Sequence, residues 1–286
     1  MSQGRPKRQP VPNALTVDVE DWIQSTYDRD APIGERVVQN TGHLLQLLDE
    51  LGVRGTFFVQ GLVAERFPQL VKEILRRGHE LACHGYSHKP VFLQSGEEFV
   101  ADVARAQNIL TDVSGIRPSG YRAPDFSIVP ATLWALERLA DLGFAYDSSV
   151  FPFRGRRYGI PSWESMPKVL TFDGGKHLVE FPLPVLRVGW LQMPFLGGGY
   201  SRLFPLWLQI YGIRKLNASG RPAVLYVHPY ELNPWEMDSL PIPRFSLLRA
   251  QQNAGRSGLE RKLRVLLRLF PFAPAGEVLR TLGLLP

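Results

Sequence analysis

Two hydrophobic periods alternate along this chain. Residues 14–19 (ALTVDV) form a short apolar, β-rich run that ends among Asp18, Glu20 and Asp21, and this predicts a buried first strand. Residues 35–51 then place Val37, Leu44, Leu45, Leu47, Leu48 and Leu51 at helical spacing before Gly52, a helix and its stop. Thr56–Val59 (TFFV) reads as a second strand, 62–77 as a second amphipathic helix, and Glu80–Cys83 (ELAC) as a third strand running straight into His84. Helices are expected at about 97–113 and 130–142, with a strand at 144–146 leading into Asp147. Residues 151–222 are less regular and rich in Gly, Pro and aromatic residues. Short strands are expected there near 169–172 and 178–181, and a helix near 202–217. Residues 223–227 (AVLYV) read as a late core strand, and 259–270 as a basic amphipathic helix.

Strand and helix thus alternate, which argues for parallel strands joined by helices and an α/β fold. Four strands deliver polar residues just past their C-terminal ends: Asp18 with Glu20, His84, Asp147 and His228. In a parallel barrel those ends share one face, the face that holds the active site. No tandem repeat or long linker interrupts the pattern. The expectation is one domain over 13–286, with a helical extension from about 235 and a disordered basic segment over 1–12.

Composition changes this picture little. The 286 residues are 44% hydrophobic and 21% charged, ample for a sizeable core. The formal charge of +6 is partly local, in Arg5, Lys7 and Arg8 and in Arg244, Arg249, Arg256, Arg261, Lys262, Arg264 and Arg268. Solvated surface is the preferred reading of both clusters. Attraction to an anionic lipid, a nucleotide-sugar phosphate or an acidic polymer is the sharper one. No nucleic-acid module is recognisable, so no nucleic-acid partner is expected. The single cysteine, Cys83, excludes an internal disulfide. No apolar run resembles a secretory signal or a membrane span, so a cytoplasmic protein is expected, with a basic surface able to rest on a membrane.

Five segments carry candidate chemistry. His84-Gly85-Tyr86-Ser87-His88 places two imidazoles four residues apart, within reach of one divalent ion. Such pairs also occur on plain surfaces; position directly after a buried strand gives this one weight. In Asp18-Val19-Glu20-Asp21 the first and third residues project to the same side of an extended chain. One carboxylate can complete a two-histidine, one-carboxylate site while the other takes a proton from water; a helix-capping acidic cluster is the plainer alternative. Tyr121-Arg122-Ala123-Pro124-Asp125 offers an arginine for a forked carboxylate contact. Asp147-Ser148-Ser149 by itself is a cap or turn. In the last segment, His228 leaves an apolar strand into Pro229-Tyr230-Glu231 as a candidate general acid.

These segments, in this order over roughly 14–232, resemble the polysaccharide deacetylase family (NodB-homology carbohydrate esterases). The resemblance implies a distorted, incomplete parallel β/α barrel and metal-dependent N-deacetylation of an N-acetylated sugar. By the family's pattern Asp18 is the base, oriented by Arg122, and His228 protonates the departing amine. Glu20, His84 and His88 would bind Zn²⁺, Co²⁺ or a similar ion, with Asp21 an open alternative to Glu20. Tyr121, Pro124, Asp147 and Trp163 are candidate substrate contacts. The commonest first motif has two adjacent aspartates; this chain is similar to the branch with acids two apart, which includes peptidoglycan-deacetylase-like and allantoinase-like members. Trp163-Glu164, Gly197–Tyr200 and the arginine-rich tail are similar to deacetylases of exopolysaccharide and exosortase gene clusters. That implies exopolysaccharide biosynthesis, with contact to its machinery. A small-amide amidohydrolase and a non-catalytic carbohydrate-binding relative are the competing readings. Aromatic residues (Trp163, Tyr200, Trp207, Trp235) favour sugar stacking over the first, and the intact acid–histidine–arginine set argues against the second.

Overall fold

The computed structural model describes residues 11–286 apart from Arg156, Arg157, Trp190, Pro241 and Arg244. The basic positions Arg5, Lys7, Arg8 and Arg244, and all but the end of the segment 1–12 expected to be disordered, lie outside the described residues. Eleven strands occur in it: β1 (Asn13–Val19), β2 (Thr56–Val59), β3 (Glu80–Cys83), β4 (Gly120–Tyr121), β5 (Tyr146–Asp147), β6 (Lys168–Phe172), β7 (Lys176–Glu180), β8 (Val185–Val188), β9 (Leu191–Pro194), β10 (Val224–Val227) and β11 (Phe272–Ala273). The main sheet runs β10-β1-β2-β3-β4-β5-β7-β6, and β11 pairs with the start of β1. All its pairings are parallel except β6 with β7. Among the described residues nothing pairs β6 with β10, so the barrel is distorted and incomplete.

Alternation along the strands explains both the core and the site. Leu15, Val17 and Val19 of β1, Phe57 and Val59 of β2, Cys83 of β3 and Val227 of β10 join the surrounding helices in one apolar cluster. The intervening residues Ala14, Phe58, Ala82, Tyr146, Val224 and Tyr226 form a second cluster inside the barrel. Side chains switch faces at each residue. Continuing the inner row past the strand ends therefore lands on Asp18, Glu20, His84, Arg122 and His228. The sequence repeat that buries the core also aims these polar groups at one place.

Several expected elements are refined. The helix expected over 62–77 is two, Gly61–Arg66 and Pro68–Arg76, and that over 202–217 is Gly198–Leu203 and Leu206–Ala218. Pro68 and Pro205 stand at the breaks, where a residue without an amide hydrogen can start a helix but not continue one. The hairpin β8–β9, β11 and the helices Leu247–Asn253 and Ala275–Thr281 lie beyond the sequence expectations. The tail arginines are less solvated than expected. Arg249 and Arg256 are buried. The Lys262 ammonium donates to the carbonyls of Ser201, Arg202 and Phe204, satisfying acceptors at a helix end. Arg264 pairs with Glu50 and Glu260.

Candidate active site

Glu20, His84 and His88 meet at the C-terminal end of β1 and β3. Their ligand atoms all lie within 4.8 Å of one another, and all three side chains are buried. Glu20 Oε2 is 3.2 Å from His84 Nε2 and 2.5 Å from His88 Nε2. His84 Nδ1–H donates to the Arg122 carbonyl at 2.8 Å, which fixes the ring and turns Nε2, the nitrogen a metal would take, towards Glu20. Burial works to raise the Glu20 carboxyl pKa, but the His88 charge and the imidazole hydrogen bonds hold it well below the ordinary range. The other carboxylate oxygen, Oε1, accepts from Ser25 Oγ at 3.1 Å and Tyr230 Oη at 3.2 Å. One face of the carboxylate is thereby fixed while the other faces the histidines. This donor set, two nitrogens and one oxygen, fits a divalent cation.

Asp21 is engaged elsewhere. Its Oδ1 accepts from the Ile23 and Gln24 amides and its Oδ2 from the Gly34 amide. It caps a turn, as the plainer reading of the acidic cluster had it, and Glu20 is the acid beside the histidines. The 84–88 loop is itself held from outside. Asp102, on the helix Gly96–Ser114, accepts from the Tyr86 and Ser87 amides and from Ser87 Oγ.

Beside this cluster, Arg122 is fully buried. Nη1 donates to Asp18 Oδ1 at 2.8 Å and to Thr16 Oγ1 at 2.9 Å. Nε and Nη2 donate to the carbonyl and hydroxyl of Ser148, and the guanidinium lies 4.3 Å from the Phe58 ring centroid. So held, it binds one oxygen of Asp18 and leaves Oδ2 directed towards His228 Nε2, 3.9 Å away. His228 Nε2 is also 3.8 Å from Glu20 Oε1. Behind it, Nδ1 meets Glu231 Oε2 at 3.0 Å, and Glu231 Oε1 meets Arg202 Nε at 2.9 Å. Burial opposes a charged His228, but the Glu231 hydrogen bond and charge, with Glu20 and Asp18, carry its pKa up to about 9.

Asp18, Glu20, His84, His88, His228 and Glu231 line one cavity of about 190 Å³, with Arg122 buried behind Asp18. Among the described residues, the non-glycine residues with positive φ are His88, Asp125 and Phe126, and all three line it. Backbone held in that region costs roughly 1–3 kcal/mol per residue and concentrates at functional sites. Gly198 and Gly199 form another part of the wall; at Gly197 just before them, with φ of 87°, a Cβ would sit 2.0 Å from the Tyr226 ring.

The expected substrate contacts fall outside the wall. Tyr121 points to the outer face of the sheet, against Phe99 and Phe144, because it is out of phase with Arg122. Pro124 opens the tight turn that sets Asp125 and Phe126 on the wall. Trp163 packs on the outer cluster with the Lys168 ammonium 4.7 Å from its ring. Asp147 is buried against Glu180; burial and then the Asp147 charge push the Glu180 carboxyl far above its usual range. Sequence reasoning assigned no role to Ser25, Asp102, Ser148, Arg202, Tyr230, Glu231 and Gln252. Glu231 did carry a signal, three residues after His228 across a proline-fixed turn. Ser25 stands only five residues after Glu20, a spacing with no signature of its own, and the others act across longer separations that leave no local pattern.

Comparison with known proteins follows the same division. Residues 18–146 match the family model described as polysaccharide deacetylase. Residues 18–146 are a polysaccharide deacetylase domain. Residues 148–280 match a second model, described as a domain of unknown function (DUF3473). The chain is 32% identical over 123 residues to the peptidoglycan deacetylase-like protein FGM2 of Gibberella zeae, covering 42% of this chain and 36% of that one. It is 31% identical over 146 residues to the peptidoglycan deacetylase of Helicobacter pylori, covering 50% and 47%. The chain thus spans less than half the length of these curated relatives. A crystal structure of a Mycobacterium smegmatis protein assigned to the polysaccharide deacetylases superposes with TM-score 0.65 at 22% identity, over 99% of this chain and 94% of that one. That likeness establishes the fold. Within the cavity, the deacetylase domain contributes Asp18, Glu20, His84 and His88. The segment of unknown function contributes Arg202, His228, Tyr230, Glu231 and Gln252. The two segments build one site.

Proposed function

We propose that this chain hydrolyses the acetamide of an N-acetylated sugar, releasing acetate and a free amino sugar. The observation that carries the reading is the meeting of Glu20, His84 and His88 with His228 and with Asp18, itself held by buried Arg122, around one cavity. Glu20, His84 and His88 would hold a divalent ion, preferably Zn²⁺, which when bound polarises a carbonyl and acidifies water. Asp18, with Oδ1 held by Arg122, uses Oδ2 to take the proton from attacking water. His228, beside Asp18 and backed by Glu231, gives a proton to the departing nitrogen, which is a poor leaving group as an anion. Ser25 and Tyr230 orient Glu20, and Phe126 and Tyr226 provide apolar wall against the sugar. The family resemblance supports a polymeric or precursor substrate of exopolysaccharide synthesis, in contact with that machinery.

Acetate release from N-acetylglucosamine oligomers, with metal content measured on the same samples, tests this. His84→Ala with His88→Ala is expected to abolish both. Asp18→Asn is expected to keep the metal while turnover falls by roughly 10²–10⁴, the usual worth of a positioned base. Full activity without metal, or an unimpaired Asp18→Asn, would falsify the assignment.

A further inference from the structure

The helix Leu206–Ala218 buries Gln209, Gly212, Ile213 and Leu216. A Cβ at Gly212 would lie 2.2 Å from the Phe195 ring, so this face is pressed against the body and the helix has one permitted rotation. That rotation holds the opposite face outward. Trp207 is 68% exposed and Tyr211 50%, and Leu203, on the preceding helix, is 61% exposed. The spacing of four residues sets Trp207 and Tyr211 on one face of their helix, and Leu203 ends the helix just before it. Such residues are ordinarily the first to be buried, and a contiguous stripe of them marks an interaction surface.

Past Tyr211 the stripe turns basic. Arg214 and Lys215 are exposed on the next turn. The Lys215 ammonium donates to the Arg187 carbonyl, which brings exposed Arg187 of β8 alongside. Burial and then the Arg187 charge lower the Arg221 pKa, so a fourth cation is close by. Among the described residues none of these four pairs with a carboxylate. Trp and Tyr beside Lys and Arg, on a helix whose other face is anchored, is the composition that suits a lipid interface: rings at the headgroup level, cations on the phosphates. At its other end the stripe begins with Leu203, one residue after Arg202 of the cavity wall.

We propose that Leu203, Trp207 and Tyr211, with Arg187, Arg214 and Lys215, form a face that docks on an anionic bilayer surface and holds the cavity beside it. The occupant is a membrane rather than a protein because the basic groups cluster at one end without acidic partners. Docked this way, the cavity would serve a sugar carried at the membrane. The whole chain is sedimented with vesicles of phosphatidylcholine alone and with roughly 30% phosphatidylglycerol added. Binding is expected only to the second, and to fade with salt. Trp207→Ser with Tyr211→Ser, and separately Arg214→Glu with Lys215→Glu, should each weaken it about tenfold or more. Circular dichroism and acetate release from soluble oligomers should stay unchanged, since none of these side chains lines the cavity; that assay judges the proposed activity independently. Equal vesicle binding by all variants overturns the docking face. So does a dimer, seen by analytical ultracentrifugation, that the Trp207 and Tyr211 substitutions dissolve, for then a second copy covers the stripe.

Discussion

His228 shows what a single residue owes to its neighbours. Its imidazole is held protonated by Glu231, so the acid form is present at neutral pH and is lost as pH rises through about 9. Glu231→Gln removes the chief support of that charge. The alkaline limb of the kcat/KM profile for acetate release is therefore expected to move to lower pH, with the acid limb unchanged. An unmoved alkaline limb would mean that His228 is not the proton donor. Most of the proposed reacting set was legible because each member lies at or just past the end of a buried strand: Asp18 within β1 and Glu20 just after it, His84 after β3, His228 after β10. The choice between Glu20 and Asp21 was not, since adjacent acids look alike until the backbone shows which one faces inward. Tyr230 was hidden for another reason. Tyr230 reaches Glu20 across 210 residues, and no short window of sequence contains that contact.

Among the elements, the helix Gly96–Ser114 matters to the site without touching the cavity. Its Asp102 accepts three hydrogen bonds from the loop between the two histidines. Asp102→Ala leaves two amides and a hydroxyl of that loop without their partner, at a cost of about 1–3 kcal/mol. The loop should loosen while the fold persists. Metal affinity is expected to drop roughly 10–100-fold, as for other supports of metal ligands, and metal-binding titration of the purified variant checks it. Unchanged affinity would show that the loop keeps its shape unaided. The strands and the long helices were readable because periodicity reports which face is buried. Helix breaks at Pro68 and Pro205 were missed because the apolar spacing continues across them. The hairpin β8–β9 was missed because turn geometry, rather than alternation, defines it.

Across the whole molecule, the two family segments share one sheet. β1 is flanked by β10 along one side, and along the other by β2 and, at its start, by β11, and Asn13 bonds to both Ala223 and Pro271. A fragment ending at residue 146 would lack β10, β11, His228 and the wall residues Arg202 and Gln252. It is expected to show no cooperative thermal transition and no acetate release. A sharp transition in that fragment would show that the deacetylase domain folds alone. The parallel order was foreseen from the strand–helix alternation. The pairing of β11 with β1 was not, for a two-residue strand has no signature of its own.

The late arrival of β10 has a price during synthesis. At roughly 5–20 residues per second, some 10–40 s separate the emergence of the first strand from that of its far neighbour. Throughout that interval one side of an apolar strand offers bare amides and carbonyls to any passing chain. Such an edge invites mispairing, so recovery of active protein should depend on chaperone supply and slow translation more than on the stability of the finished barrel.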